Sequence, residues 1–222
     1  MPRGTLITFE GLDGSGKTTQ IKRLATWIER RGLSPLVTRQ PGGTPVGERI
    51  RALLLDSGGV PVAPMAEMTL MFADRAQSIA EVIAPALAEG RIVLCDRFTD
   101  STEAYQGGGR ELGSPTVLEL DRLIAGSLRP DLTFLLMPSL ERSLERARRR
   151  NERRTAASGG DEGRFEQEQE DFFRRVWWKY REIAAREPDR VVLIEGNLAI
   201  DEVHEQIVEA VCARGVLNRP EA

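Results

Sequence analysis

Gly11-Leu12-Asp13-Gly14-Ser15-Gly16-Lys17-Thr18 decides how the rest of the chain is read. The stretch satisfies the G-x-x-x-x-G-K-[ST] pattern at every position, and its flanks fit as well. Thr5–Phe9 before it reads as a short apolar strand, and an amphipathic helical pattern begins at Thr18. Glycines let successive backbone N–H groups turn inward around phosphate oxygens, and the helix N-terminus adds a partial positive charge. In such a loop Gly11, Leu12, Asp13, Gly14, Ser15, Gly16, Lys17 and Thr18 would hold a nucleoside triphosphate such as ATP. Lys17 would span the β- and γ-phosphates, and the Thr18 hydroxyl would ligate Mg²⁺. A glycine-rich turn matching by chance has no reason to combine the strand, the lysine, the threonine and the helix.

Outward from the loop, short apolar runs alternate with longer amphipathic stretches. The expected strands are Thr5–Phe9, Pro35–Thr38, Arg91–Cys95, Leu132–Leu136 and Val191–Ile194. Helices are expected over Thr18–Arg31, Val46–Leu55, Met65–Ala88, Pro115–Leu128, Leu140–Asn151, Phe165–Ala185 and Asp201–Ala213. Gly32, Gly90 and Pro188 supply stop signals. This order predicts an α/β, three-layer P-loop NTPase fold, with a five-stranded, mostly parallel sheet and helices on both faces. At 222 residues and 41% hydrophobic, the chain is expected to form one domain over 1–222. Thr155–Gly163 is too rich in glycine and small polar residues to hold a helix, and it interrupts an arginine-rich one. A mobile lid is expected there, over about 147–166.

A net charge of −3 gives no general attraction to nucleic acid or to an anionic membrane, so any basic site must be local. The first residues, Met1-Pro2-Arg3-Gly4, lack signal-peptide anatomy, and no apolar run approaches a membrane span. Cys95 and Cys212 lie far apart and form no metal or disulfide pattern. A cytoplasmic protein is expected.

Three further stretches fall where an open parallel sheet binds its ligands. They are Thr38-Arg39-Gln40-Pro41-Gly42-Gly43-Thr44, Met71-Phe72-Ala73-Asp74-Arg75-Ala76-Gln77, and the segment from Asp96-Arg97 to Arg110. A guanidinium can donate two parallel hydrogen bonds to a phosphate, so arginines at strand ends suit a second, phosphate-bearing substrate. A nearby aromatic, hydroxyl and amide suit a base that is stacked and read along its edge.

Together with Phe9-Glu10-Gly11, the Arg-x-Pro-Gly-Gly-Thr stretch, Asp96-Arg97 and Ala104-Tyr105-Gln106-Gly107, the sequence closely resembles the thymidylate kinase family from about Thr5 to Ala210. The resemblance implies transfer of the γ-phosphate of MgATP to dTMP, giving dTDP and ADP, in a homodimer. It implies that Asp13 contacts the sugar 3′-hydroxyl and that Arg97, with Arg39, holds the acceptor phosphate. Arg75 would hydrogen-bond the thymine, with Phe72 as the stacking aromatic and Thr102 and Gln106 near the base edge. Tyr105 would pack under the deoxyribose, and Asp96 would lie near Mg²⁺ and the transferring group. Some members carry an arginine inside the P-loop; here that position is Gly14. The resemblance therefore points to lid arginines, among them Arg148, Arg150 and Arg164, as catalytic residues beside Lys17, Asp96 and Arg97.

Four departures from the family pattern stand out. Gln40 replaces a frequent glutamate, removing a negative charge near the acceptor phosphate; Met137 stands where aspartate is common; Gly163 stands where aspartate often precedes the lid arginine. Counting back from Arg75 puts Met71, not Phe72, in the usual stacking place. Three other readings compete: a kinase for a related pyrimidine deoxynucleotide such as dUMP, a P-loop switch or ATPase, and a degenerate family member that binds nucleotides without turnover.

Overall fold

The structure is a computed structural model describing residues 3–55, 61–147, 149 and 168–215. Five strands form one sheet: β1 (Thr5–Glu10), β2 (Leu36–Arg39), β3 (Ile92–Asp96), β4 (Leu132–Met137) and β5 (Val191–Glu195). They lie in the order β2-β3-β1-β4-β5, and every pairing is parallel. Each strand falls within one residue of its expected place at either end; the three central ones, β3, β1 and β4, are buried on both faces, where a short apolar run has few other ways to satisfy its backbone.

Alternation along the strands divides the core. Ile7 and Phe9 of β1 and Leu132, Phe134 and Leu136 of β4 face α1 (Lys17–Glu29) and α9 (Ile200–Ala213), packing with Ile21, Leu24, Ile28, Ile207 and Val211. The opposite face carries Leu6, Val93 and Cys95 against Ile83 and Leu87, and Leu135 and Met137 against α8 (Glu170–Arg186). Each such side chain contributes roughly 1.5–3 kcal/mol by leaving water. The remaining helices are α2 (Pro45–Leu55), α3 (Pro64–Ser78), α4 (Ala84–Ala88), α5 (Thr99–Thr102), α6 (Ser114–Ile124) and α7 (140–147).

Two elements depart from the expected pattern. The helix expected over Met65–Ala88 passes through a π-helical turn, Ile79–Ile83, just before Pro85, which has no N–H to continue the regular ladder. The stretch after β3 is helical throughout: α5 runs into a π-helix over Glu103–Gly109. Its three glycines disfavour a helix locally, but a Cβ on Gly109 would fall 2.5 Å from the Phe172 ring, and one on Gly108 would fall 2.8 Å from Lys179 Cβ. Close packing on α8 overrides propensity. Ion pairs reinforce it: Arg186 holds Glu103 with two bonds of 2.7 Å, and Arg190 grips Asp100 at 2.7 and 2.8 Å. The expected lid falls outside the described residues apart from Ala147 and Arg149, and no described helix is long and apolar enough to cross a membrane.

Candidate active site

The loop Gly11–Gly16 leaves the C-terminal end of β1 between β3 and β4, where the sheet changes direction. Lys17, 6% exposed, donates to the carbonyls of Gly11 and Leu12 at 3.0 Å each. Burial, then the nearby Arg97 charge, push its ammonium down to about 8. Gly14 has φ +78°, and a Cβ there would lie 2.4 Å from the Ser143 carbonyl oxygen and 2.9 Å from the Ala147 nitrogen. With α7 seated on the loop, this position has no room for an arginine.

The register of β1 and β3 sets Phe9 opposite Asp96, bringing Asp96 and Arg97 to the mouth of the loop. The Thr18 hydroxyl donates to Asp96 Oδ2 at 3.3 Å, while the buried Asp96 Oδ1 has no hydrogen-bond partner. An unpartnered carboxylate oxygen beside a hydroxyl is a fitting pair of hard ligands for Mg²⁺, which usually keeps waters and phosphate oxygens in its remaining positions. Among the described residues there is no cluster of three or more histidine, cysteine, aspartate or glutamate side chains that would form an all-protein metal site.

Arg97 has a backbone φ of 69°, unusual for a residue with a Cβ, and its N–H donates to the Phe9 carbonyl at 3.0 Å. Its guanidinium meets Asp13 Oδ1 at 3.2 Å, the Ser101 hydroxyl at 2.9 Å and the Tyr180 hydroxyl at 3.3 Å, and lies 5.0 Å from the Tyr105 ring centre. Burial opposes the charge, but the Tyr105 and Asp13 oxygens hold the group firmly protonated. Beneath it sits Glu10, fully buried, whose carboxyl burial and the Asp100 charge push up to about 7.

A second buried arginine, Arg75, donates through Nε to Gln40 Oε1 at 2.9 Å and through Nη2 to the Thr102 hydroxyl at 2.9 Å. Its Nη1 has no partner. Gln40 lines the cleft beside Arg39 and also touches Arg75, so the missing glutamate charge bears on both. One expectation is corrected here. Phe72 is 2% exposed, packed with Met68 and Val117 beneath the Arg75 guanidinium, which leaves no open ring face for a base. The half-buried Met71 packs instead against the cluster that includes Leu12 and Tyr105. Gln106 donates to Glu67 Oε1 at 2.8 Å, and Glu67 is also held by Arg110.

A cleft of about 710 Å³ runs along the loop and brings Asp13 through Thr18 together with Arg39, Gln40, Asp96 and Arg97. Arg75, Thr102, Tyr105 and Gln106 do not line it; they form the buried wall behind Arg97. Arg39 is half exposed and gripped by Glu48 through two 2.8 Å bonds. Arg148, Arg150 and Arg164 lie outside the described residues, but Arg146 lines the cleft. Sequence reasoning missed Arg51 on α2 and the turn Gly196-Asn197-Leu198 after β5, both cleft-lining. The turn's place after a strand's C-terminal end could have flagged it. No comparable signal singled out Tyr180.

Comparison with known proteins agrees with this geometry. The family model described as thymidylate kinase matches residues 9–207. A thymidylate kinase of Pelobacter propionicus is 47% identical over 219 residues, covering 99% of each chain. One of Neisseria gonorrhoeae is 47% identical over 201 residues, 90% of this chain and 93% of its own. The crystal structure of thymidylate kinase from Ehrlichia chaffeensis superposes with a TM-score of 0.74 at 30% identity, covering 95% of this chain and 99% of that one. With the family match spanning nearly the whole chain and the P-loop facing a second arginine-lined site, the chain belongs to the thymidylate kinase family.

Proposed function

We propose that the chain transfers the γ-phosphate of ATP to dTMP, giving ADP and dTDP. As a family member it is an ATP-dependent nucleoside monophosphate kinase. The observation that carries the assignment of roles is the contact of Arg97 with Asp13 at 3.2 Å, which joins an acceptor-side cation to the phosphate loop itself. Phosphoryl transfer asks mainly for positioning and for neutralisation of charge on the transferred group. Backbone N–H groups of Gly11–Thr18 and the Lys17 ammonium would hold the ATP phosphates. Thr18 and Asp96 would hold Mg²⁺, which would supply neutralisation of the charge developing on the transferred group. Arg97 would hold the dTMP phosphate in line, with Arg39 and Arg51 at the cleft rim and Asp13 at the sugar.

Arg75 would donate its unpartnered Nη1 to the base, with Thr102 fixing it from behind. Tyr105 would floor the sugar, and Met71 would cover the base in place of Phe72. Gln106 would act on the base edge through its tie to Glu67. The lid arginines Arg148, Arg150 and Arg164, with Arg146 already at the cleft, would supply the remaining cations, since Gly14 cannot.

A homodimer is supported by exposed apolar side chains on adjacent helices: Val46 and Leu53 on α2, Met65 on α3, and Leu123 and Ile124 on α6. A cytoplasmic location rests on the chemistry of the ATP co-substrate. The altered stacking position, Met71 in place of an aromatic, motivates a second reading, a kinase for a related pyrimidine deoxynucleotide such as dUMP. The test is ADP release with MgATP and dTMP, dUMP, dCMP, dGMP and AMP. Strong turnover with dTMP, weak with dUMP and none with purines is expected. A different preferred acceptor would overturn the base-site roles, and no turnover despite ATP binding would favour a non-catalytic binder.

A further inference from the structure

Glu10 has no place in the roles above, yet it is a fully enclosed carboxyl group directly behind Arg97. It ends β1, one residue before the phosphate loop, and is 0% exposed. Phe98 N–H donates to its Oε1 at 2.7 Å. Its Oε2 receives the Ser101 hydroxyl at 2.5 Å and the Tyr180 hydroxyl at 3.2 Å. Those same two oxygens accept from Arg97 Nη1, at 2.9 and 3.3 Å.

A hydroxyl has one proton and two lone pairs. With the Ser101 proton on Glu10 and the Tyr180 proton on Glu10 or on the Ser101 oxygen 2.9 Å away, both hydroxyl oxygens keep a lone pair for Arg97. The carboxylate thus holds the guanidinium through two intervening hydroxyls without meeting it. Arg97 Nη2 already meets Asp13 at 3.2 Å; holding Nη1 through neutral hydroxyls fixes the arginine from behind without a second carboxylate on the guanidinium. The surroundings fit that purpose. Asp100, the acid nearest to Glu10 in electrostatic effect, is taken by Arg190. Arg97 itself sits in the left-handed backbone region, which only a strongly determined environment maintains. A buried carboxylate whose chief role was packing would be better replaced by an apolar group, because desolvating its charge is costly.

We propose that Glu10 is a positioning residue for the acceptor phosphate, acting on Arg97 through the hydroxyls of Ser101 and Tyr180. The inference rests on Arg97 as the phosphate arginine. The experiment measures binding of dTMP, of thymidine, which lacks the phosphate, and of ATP to wild type, Glu10→Gln and Tyr180→Phe at about pH 8, where carboxyl groups ionise. Glu10→Gln should weaken dTMP binding about ten-fold or more, as expected for losing a charge-assisted contact, with thymidine and ATP changed less than about two-fold. Tyr180→Phe should shift dTMP in the same direction by a few-fold, since Ser101 still relays the charge. Parallel weakening of dTMP and thymidine, or unchanged dTMP binding, would overturn the proposal. If Glu10→Gln does not fold, Ser101→Ala and Tyr180→Phe carry the same comparison. Should wild type prefer another monophosphate, that nucleotide and its nucleoside replace dTMP and thymidine, so the substrate assignment and the role of Glu10 fail separately.

Discussion

On the donor side of the cleft, one unbroken stretch from Gly11 to Thr18 supplies backbone N–H groups, a lysine and a hydroxyl. On the acceptor side, Gln40, Arg75, Arg97 with Thr102, and Tyr180 come from four further parts of the chain and meet each other, and Asp13 of the loop, only through the fold. The donor half uses backbone geometry, which a local glycine pattern specifies almost completely. The acceptor half uses buried side-chain networks, in which each arginine is held by neutral oxygens and aromatic faces as much as by carboxylates. ATP binding should therefore respond to changes confined to one segment, whereas acceptor binding should respond to residues scattered over the sequence.

The largest effect is expected at the donor half. Lys17→Ala removes the cation that spans the transferring phosphates, and kcat should fall on the order of 10²–10³-fold, while dTMP binding changes little. Steady-state kinetics with each substrate varied in turn would check it. Gly14→Ala sharpens the same half differently. It forces a Cβ into left-handed backbone and against the α7 carbonyl of Ser143, so it should cost about 1–3 kcal/mol of stability. Gly16→Ala, where a Cβ meets nothing within 4 Å, should lose less in the same thermal melts despite its similar φ.

The smallest effect is a pH response confined to one half. Burial and Arg97 lower Lys17 to about 8, and phosphates bind its charged form. ATP affinity should stay level up to about pH 8 and fall by at most about ten-fold per unit above it, whereas dTMP affinity should stay flat above about pH 8, where Glu10, pushed up to about 7, is already ionised. Calorimetric titration of each nucleotide between about pH 7 and pH 9 would reveal the difference.

The legibility of the two halves in sequence follows the same division. Strand positions and the phosphate loop could be read because alternation and the glycine-lysine pattern are local. The π-helix over Glu103–Gly109 could not, because its glycines signal a loop until α8 packs against them. The Gln40–Arg75 contact spans 35 positions, so a substitution read as altering the phosphate site also reaches the arginine wall. Phe72 and Met71 differ by one helical step of about 100°, and only packing against α6 decides which one is enclosed. Arg51 carries no motif; its position on α2 at the cleft is a product of topology.

The division itself is tested most directly by Arg97→Ala, with ATP and dTMP titrated separately into the variant. Removing the guanidinium should weaken dTMP by about thirty-fold or more, the range for losing one partner of a buried charge pair, raise the acceptor KM, lower kcat, and leave ATP affinity within about two-fold. Wild-type dTMP binding, or equal loss of both nucleotides, would contradict the assignment of Arg97 to the acceptor half.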